Sequence, residues 1–270
     1  MTETLQVVPH ELDELRQELL QSLTQLAAKH GWSWKGKPRT TSLAKLLTSN
    51  LCERRVDYLL RNPEHENTKF DPIYREKSQY AVRFIIDHLK SRLLQEGINA
   101  RVATEVKDDF GTYDVTILQA EPILILRDGE AKVRLEVKAS LGLPLEQVDR
   151  YLWNPSLLIL VRVITGHVML LRPQELGEFV EFSLRTTLEK ACRLNEEKCF
   201  AVPGNYCSNC PDEGCPFYEQ KRFYTHRLVK MTDSDFGIDM TSFLTHLPYA
   251  ARRTADLVIE ELRRPSEGLA

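Results

Sequence analysis

The chain has 270 residues, 42% hydrophobic and 28% charged, the composition of an ordinary globular protein with enough length for one sizeable core and appendages. Its formal net charge of -3 and pI near 6.2 carry no global signature of a nucleic-acid binder, so contact with DNA would depend on local basic patches. Neither a basic leader nor an apolar leader core follows Met1, and no run approaches the roughly 18 apolar residues of a membrane span. The expectation is a cytoplasmic protein without membrane contact, in which six cysteines serve as free thiols or metal ligands rather than as a disulfide framework.

In chain order, Leu12, Leu15, Leu19, Leu20, Leu23, Leu26 and Ala27 recur at helical spacing and predict an amphipathic helix over 10–29 that ends near Gly31. Residues 32–41, with Trp32, Trp34, Lys35, Lys37 and Arg39 around Gly36 and Pro38, read as a basic linker. A helix from about Ser42 is predicted to carry Cys52, followed by Glu53, Arg54 and Arg55. A polar connection at 61–72 precedes a helix from Tyr74 to Leu94, with Val82, Ile85, Ile86, Leu89 and Leu93 on one face and Gly97 closing it. Strand-like runs follow at 98–106, 113–118, 122–127 and 131–138, with Asp128-Gly129 as a hairpin turn. A helix from Pro144 to about Trp153, strands at 156–163 and 167–172, and a helix near 173–193 complete an α/β pattern.

The sharpest chemical signal is Gly111-Thr-Tyr-Asp114 followed by Val133-Arg-Leu-Glu136-Val-Lys138. Side chains alternate along a strand, so Glu136 and Lys138 share one face while Leu135 and Val137 point into a core. If Asp114 ends a neighbouring strand, the two carboxylates can hold a hard divalent cation, Mg²⁺ or Mn²⁺, with Lys138 orienting water or meeting charge on a phosphate. Alone, Glu-Val-Lys also describes the polar face of any amphipathic strand. Gln147 lies nine residues past Lys138, and Gln147 and Tyr151, at i and i+4, stack on one face of the next helix.

Cys207-Ser-Asn-Cys210 and the following Cys215 form a C-x₂-C-x₄-C triplet, a spacing that places thiolates around one soft metal centre. Cys52, Cys192 and Cys199 are the candidates for a fourth ligand, and closure by Cys199 would make a local zinc site.

From about residue 74 to 172, the order G-x-x-D, E-x-K and Q-x-x-x-Y resembles the RecB-like branch of the PD-(D/E)xK nucleases. The resemblance implies a restriction-endonuclease-like α/β core, a mixed central sheet flanked by helices. It further implies that Asp114, Glu136 and Lys138 bind metal and activate water, while Gln147 and Tyr151 line the site. The 22-residue interval from Asp114 to Glu136 is a departure, which the extra hairpin strand would fill. In that family a further ligand usually comes from the helix before the first strand, often a histidine preceded by a glycine. That glycine is missing here; His88 fits best by position, with Asp87 on the polar side and Glu76 as a third candidate.

The cysteines extend the resemblance to the iron–sulfur subset of RecB-like nucleases, which includes the AddB repair subunit and CRISPR-associated adaptation exonucleases. In these, one cysteine before the core and three after it hold a [4Fe–4S] cluster; Cys52 matches the first, and Cys207, Cys210 and Cys215 the trailing three. Cys192 and Cys199 are then packing residues. The implied division is an N-terminal helix and basic linker (1–44), the nuclease core with its staple (45–220), and a basic, aromatic segment with a helical tail (221–270).

The implied function is a metal-dependent DNA nuclease, an exonuclease on single strands or DNA ends, in CRISPR spacer acquisition. A repair or mobile-element nuclease of the same fold, a non-catalytic DNA-binding scaffold and a zinc-stapled interaction module are the alternatives. With no G-x-x-x-x-G-K-[ST] motif, unwinding would need a helicase partner, and CRISPR adaptation proteins are the other implied partners. Lys221, Arg222, Phe223 and Tyr224 combine cations with rings in the manner suited to single-stranded DNA, with Lys35, Lys37 and Arg39 beside Trp32 and Trp34 as the other basic path.

Overall fold

Leu12, Leu15, Leu19, Leu23 and Leu26 return every three or four residues and form the buried stripe of α1 (Pro9–Lys29). The structure, a computed structural model, describes residues 9–34, 36–63, 72–107, 112–121, 133–139, 145–203, 207, 210–218 and 240–264. Gly31, at φ 70, turns the chain out of α1 in the left-handed conformation that glycine adopts without strain.

The basic linker is a small antiparallel hairpin, β1 (Ser33–Trp34) with β2 (Lys37–Pro38). Trp32 is committed to the interior: it is buried and its indole N–H donates to the Leu60 carbonyl at 3.1 Å, while the Arg39 guanidinium lies over its ring. A ring so placed is not free to stack on a base, which removes Trp32 from the alternative DNA path.

The single helix expected to carry Cys52 is two. The first, α2 (Thr40–Ser49), ends at Asn50, and α3 (Glu53–Arg61) begins with Cys52 as its N-cap. Asn50 turns its amide back to the Leu46 carbonyl at 2.8 Å, a side-chain bond that takes the last turn of α2 out of helical continuation.

The long helix α4 (Pro72–Gln95) is closed by Gly97 at φ 68 and leads into the sheet. Its strands are β3 (Asn99–Lys107), β4 (Thr112–Glu121), β5 (Val133–Lys138), β6 (Leu157–Arg162) and β7 (His167–Leu171), in that spatial order. Among the described strand pairs only β5–β6 is parallel, and the helix α5 (Leu145–Leu152) supplies the crossover that a parallel pair needs. Because β4 pairs directly with β5, nothing intervenes between them in the sheet; the strand at 122–127 and its Asp128-Gly129 turn lie outside the described residues. The molecule is thus a mixed α/β fold.

Both sheet faces are covered. Val133, Leu135 and Val137 of β5 join Ile159 and Val161 of β6 in a core closed by α4 and by α7 (Met240–Arg263), through Ile85, Leu89, Phe243, Ala251 and Val258. Leu158 and Leu160, on the opposite face, join the second core, with α1, α2, α3, α5 and α6 (Gly177–Asn195). Arg172 pairs with the buried Glu261, and Arg92 with Asp256 at 3.2 Å, so α7 is tied to the end of β7 and to α4. Among the described residues, no helix is long and apolar enough to cross a membrane.

Candidate active site and four-cysteine centre

The β5 sequence V-R-L-E-V-K sends alternate side chains to opposite faces, and Glu136 and Lys138 emerge on the α5 side. There α5 presents Gln147 and Tyr151 one turn apart. The four form one hydrogen-bonded constellation. Lys138 Nζ donates to Glu136 Oε1 and, at 2.7 Å, to Gln147 Oε1. Gln147 Nε2 donates to Glu136 Oε1 at 3.0 Å and meets the Tyr151 hydroxyl. Glu136 is only 3% exposed, so its charge is balanced inside the protein by the ammonium and the amide dipole rather than by water.

Asp114 belongs to β4. Val115 pairs with Leu135 in the antiparallel ladder, so one further step sets Asp114 at the register position of Glu136. The backbone therefore brings the two acidic positions to adjacent strands at the end of β5 where the crossover leaves the sheet.

His88 sits on α4, whose apolar stripe covers the sheet face opposite Glu136. Its ring is half-buried and its Nε2 is enclosed without a hydrogen-bond partner, a donor or acceptor that a metal or substrate could engage. Asp87 and Glu76 are exposed. If His88 completes the metal shell, His88→Ala should weaken Mn²⁺ binding measured by calorimetry and Asp87→Ala should leave it nearly unchanged; the reverse order refutes the assignment.

Cys52, Cys207, Cys210 and Cys215 all line one pocket, with Arg54, Arg55, Val202, Asp212, Phe217 and Tyr218; its empty volume, open mouth included, is about 350 Å³. Cys52 Sγ accepts the Val202 N–H at 3.5 Å, and the Cys210 N–H donates to the Cys207 carbonyl at 3.1 Å, closing the C-x₂-C turn. Burial pushes the Cys210 thiol up from its ordinary range, so a metal entering here must displace a proton held more tightly than in water. Cys199 is half-buried against the second core and stands outside the pocket lining. Cys192 is exposed, beside Ser22 Oγ at 3.9 Å, which corrects the expectation that it packs inside.

Four soft thiols around one pocket, one of them accepting a backbone N–H, fit a thiolate-bound metal centre in donor chemistry. Among the described residues, no three His, Cys, Asp or Glu side chains already stand in a metal-binding arrangement, so a bound ion or cluster would draw its ligands inward.

Sequence reasoning passed over Asp212 and Glu53, both charged and both buried beside this pocket. A carboxylate between the second and third cysteines, and the Glu-Arg pair directly after Cys52, were the available signals. Lys221, Arg222, Phe223 and Tyr224 lie outside the described residues. No family model, curated protein or solved structure matches the chain.

Proposed function

We propose that the protein is a Mg²⁺- or Mn²⁺-dependent deoxyribonuclease of the RecB-like PD-(D/E)xK type, acting on single strands or DNA ends, with a [4Fe–4S] cluster in the four-cysteine pocket. The observation that carries this reading is the Glu136–Lys138–Gln147–Tyr151 constellation, four residues from two motifs meeting through side-chain hydrogen bonds. The succession α4-β3-β4-β5-α5-β6 supports it, as does the grouping of Cys52 with the distant triplet. A role in CRISPR spacer acquisition, with adaptation proteins or a helicase as partners, is the context we favour for it.

When bound, the divalent ion supplies Lewis acidity at the phosphate and lowers the pKa of a water molecule. Glu136, with Asp114 at the register position across from it, would provide the hard oxygen donors such an ion prefers. Gln147 holds the Lys138 ammonium by its carbonyl oxygen, leaving Lys138 at the sheet end to orient the attacking water or meet charge on the scissile phosphate. Gln147 also steadies the Glu136 carboxylate, which fixes its acceptor geometry. Cys52, Cys207, Cys210 and Cys215 would hold the cluster and so join chain from before and after the sheet.

One observation favours a second reading. Glu136 is deeply buried and its charge already answered by Lys138, the condition of a structural ion pair, which suits a DNA-binding scaffold that cuts nothing. Incubation of the purified chain with Mg²⁺ or Mn²⁺ and single-stranded, blunt and overhanging DNA separates the two. Cleavage abolished by chelator supports the nuclease; DNA bound but intact under every condition supports the scaffold. A brown preparation marks the iron–sulfur centre, and a colourless zinc-containing one replaces it with a structural zinc.

A further inference from the structure

The first turn of α3 gathers more charge than its exposure explains. Glu53, 5% exposed, accepts from Arg193 of α6 through Nε at 2.9 Å and Nη2 at 2.6 Å. Its second oxygen accepts the Phe200 N–H at 3.1 Å, and the Phe200 carbonyl accepts the Arg54 N–H at 3.1 Å. The end of α6 and residues 200–202 are thereby laid against Cys52, whose sulfur accepts the Val202 N–H.

Arg54 then reaches the other way. Its Nε donates to Asp212 Oδ2 at 2.7 Å and its Nη2 to the Gly214 carbonyl at 2.6 Å. Asp212, 7% exposed, spends its other oxygen on the Gly214 N–H at 3.0 Å, and its carbonyl accepts the Cys215 N–H at 3.3 Å. Both Asp212 oxygens thus have partners within the protein, and the residue acts on the pocket through the loop rather than as a metal ligand. The Asp212 carboxylate in turn raises the Arg54 pKa, chiefly through their hydrogen bond.

Burying two carboxylates is costly unless each is paired and hydrogen-bonded, and both are. The pairs join segments far apart in sequence, and each lies beside a cysteine of the pocket. We propose that Asp212 and Glu53 are positioning residues of the four-cysteine centre: the Arg54–Asp212 and Arg193–Glu53 clamps hold Cys52 and the 210–215 loop at one pocket. A bound metal then draws inward thiols whose chain segments the clamps hold at one pocket. This rests on the reading that the four cysteines bind metal.

The test is an anaerobic titration of the reduced, metal-free full chain with Co²⁺, whose thiolate charge-transfer absorbance reports the ligands directly. Wild type, Asp212→Asn, Arg54→Gln, the double variant and Glu53→Gln are compared for Co²⁺ affinity, rate of loss to a chelator and apoprotein melting. Arg54 is partly exposed, so Arg54→Gln serves should Asp212→Asn fail to fold. The clamps predict affinity lowered by roughly 10–100-fold in each of the three single variants, with the absorbance of the saturated form unchanged. They also predict that the double variant loses no more than one single variant, because both break the same clamp. Wild-type affinity in Asp212→Asn and Arg54→Gln, or losses that add in the double variant, overturns the proposal. A wild-type chain that gives no thiolate–cobalt absorbance overturns instead the metal-centre reading on which it stands.

Discussion

Glu136→Gln should retain the fold and lose metal-dependent DNA cleavage by at least about 10²–10³-fold, the scale of removing one electrostatic element of a hydrolytic site. The substitution conserves shape, which matters where the side chain is almost wholly enclosed, and the amide oxygen can still accept from Lys138 Nζ. What it removes is the negative charge that attracts a hard cation. The ammonium loses its counter-charge, so some destabilisation follows; Lys138 has partial access to water, which keeps the cost below that of a fully buried orphan. Initial cleavage rates in Mn²⁺ and Mg²⁺, beside a circular dichroism melt and DNA binding without metal, separate lost chemistry from lost structure. Lys138→Ala should give the same loss of rate. Wild-type cleavage by a clean Glu136→Gln preparation would remove the site assignment.

Cys52→Ala should lose the metal that Cys192→Ala and Cys199→Ala retain. Anaerobically purified wild type should carry about four irons per chain if the cluster is a cubane, and the Cys52 variant far fewer. The prediction divides the six cysteines as the pocket divides them: Cys52 lines it with the trailing triplet, whereas Cys199 packs on the second core and Cys192 faces outward. A ligand that binds only the folded chain stabilises it by mass action, so the melting temperature should fall with the iron, by about 2–4 °C for each kcal/mol lost in a chain of this size. Iron lost from Cys199→Ala and kept by Cys52→Ala would instead place a local site at the triplet.

The parts of the molecule that were legible in the sequence are those fixed by short-range periodicity. Alternation along 133–138 already put Glu136 and Lys138 on one face, and the four-residue interval on α5 stacked Gln147 and Tyr151; the structure joins the two pairs by hydrogen bonds. The break at Cys52 left a signal in the sequence that composition hides, because no glycine or proline intervenes: Leu47 to Val56 is nine residues, two and a half turns, so Val56, Leu59 and Leu60 fall on the face opposite Leu43, Leu46 and Leu47 and one straight helix cannot bury both sets on one side. The Asn50 side chain, folding back on its own helix, marks where α2 stops. The place of α7 was also hidden, because its apolar face meets partners on β5 and β6 that pattern within one segment cannot name. The same holds for Asp212 and Glu53, whose importance lies in arginines far away along the chain.

The two faces of the sheet are completed at different moments of synthesis. Every helix of the second core lies within residues 9–195, so that face can be covered as soon as α6 has been made. The other face, carrying Val133, Leu135, Ile159 and Val161, waits for residues 240–263, and among the described helices made before them α4 is the one that shields it. A nascent chain stalled between α6 and α7 therefore displays a half-covered apolar sheet, the kind of surface that chaperones engage and that aggregates when they do not. Ribosomal pausing in that interval should lower the yield of folded protein more than an equal pause before α6.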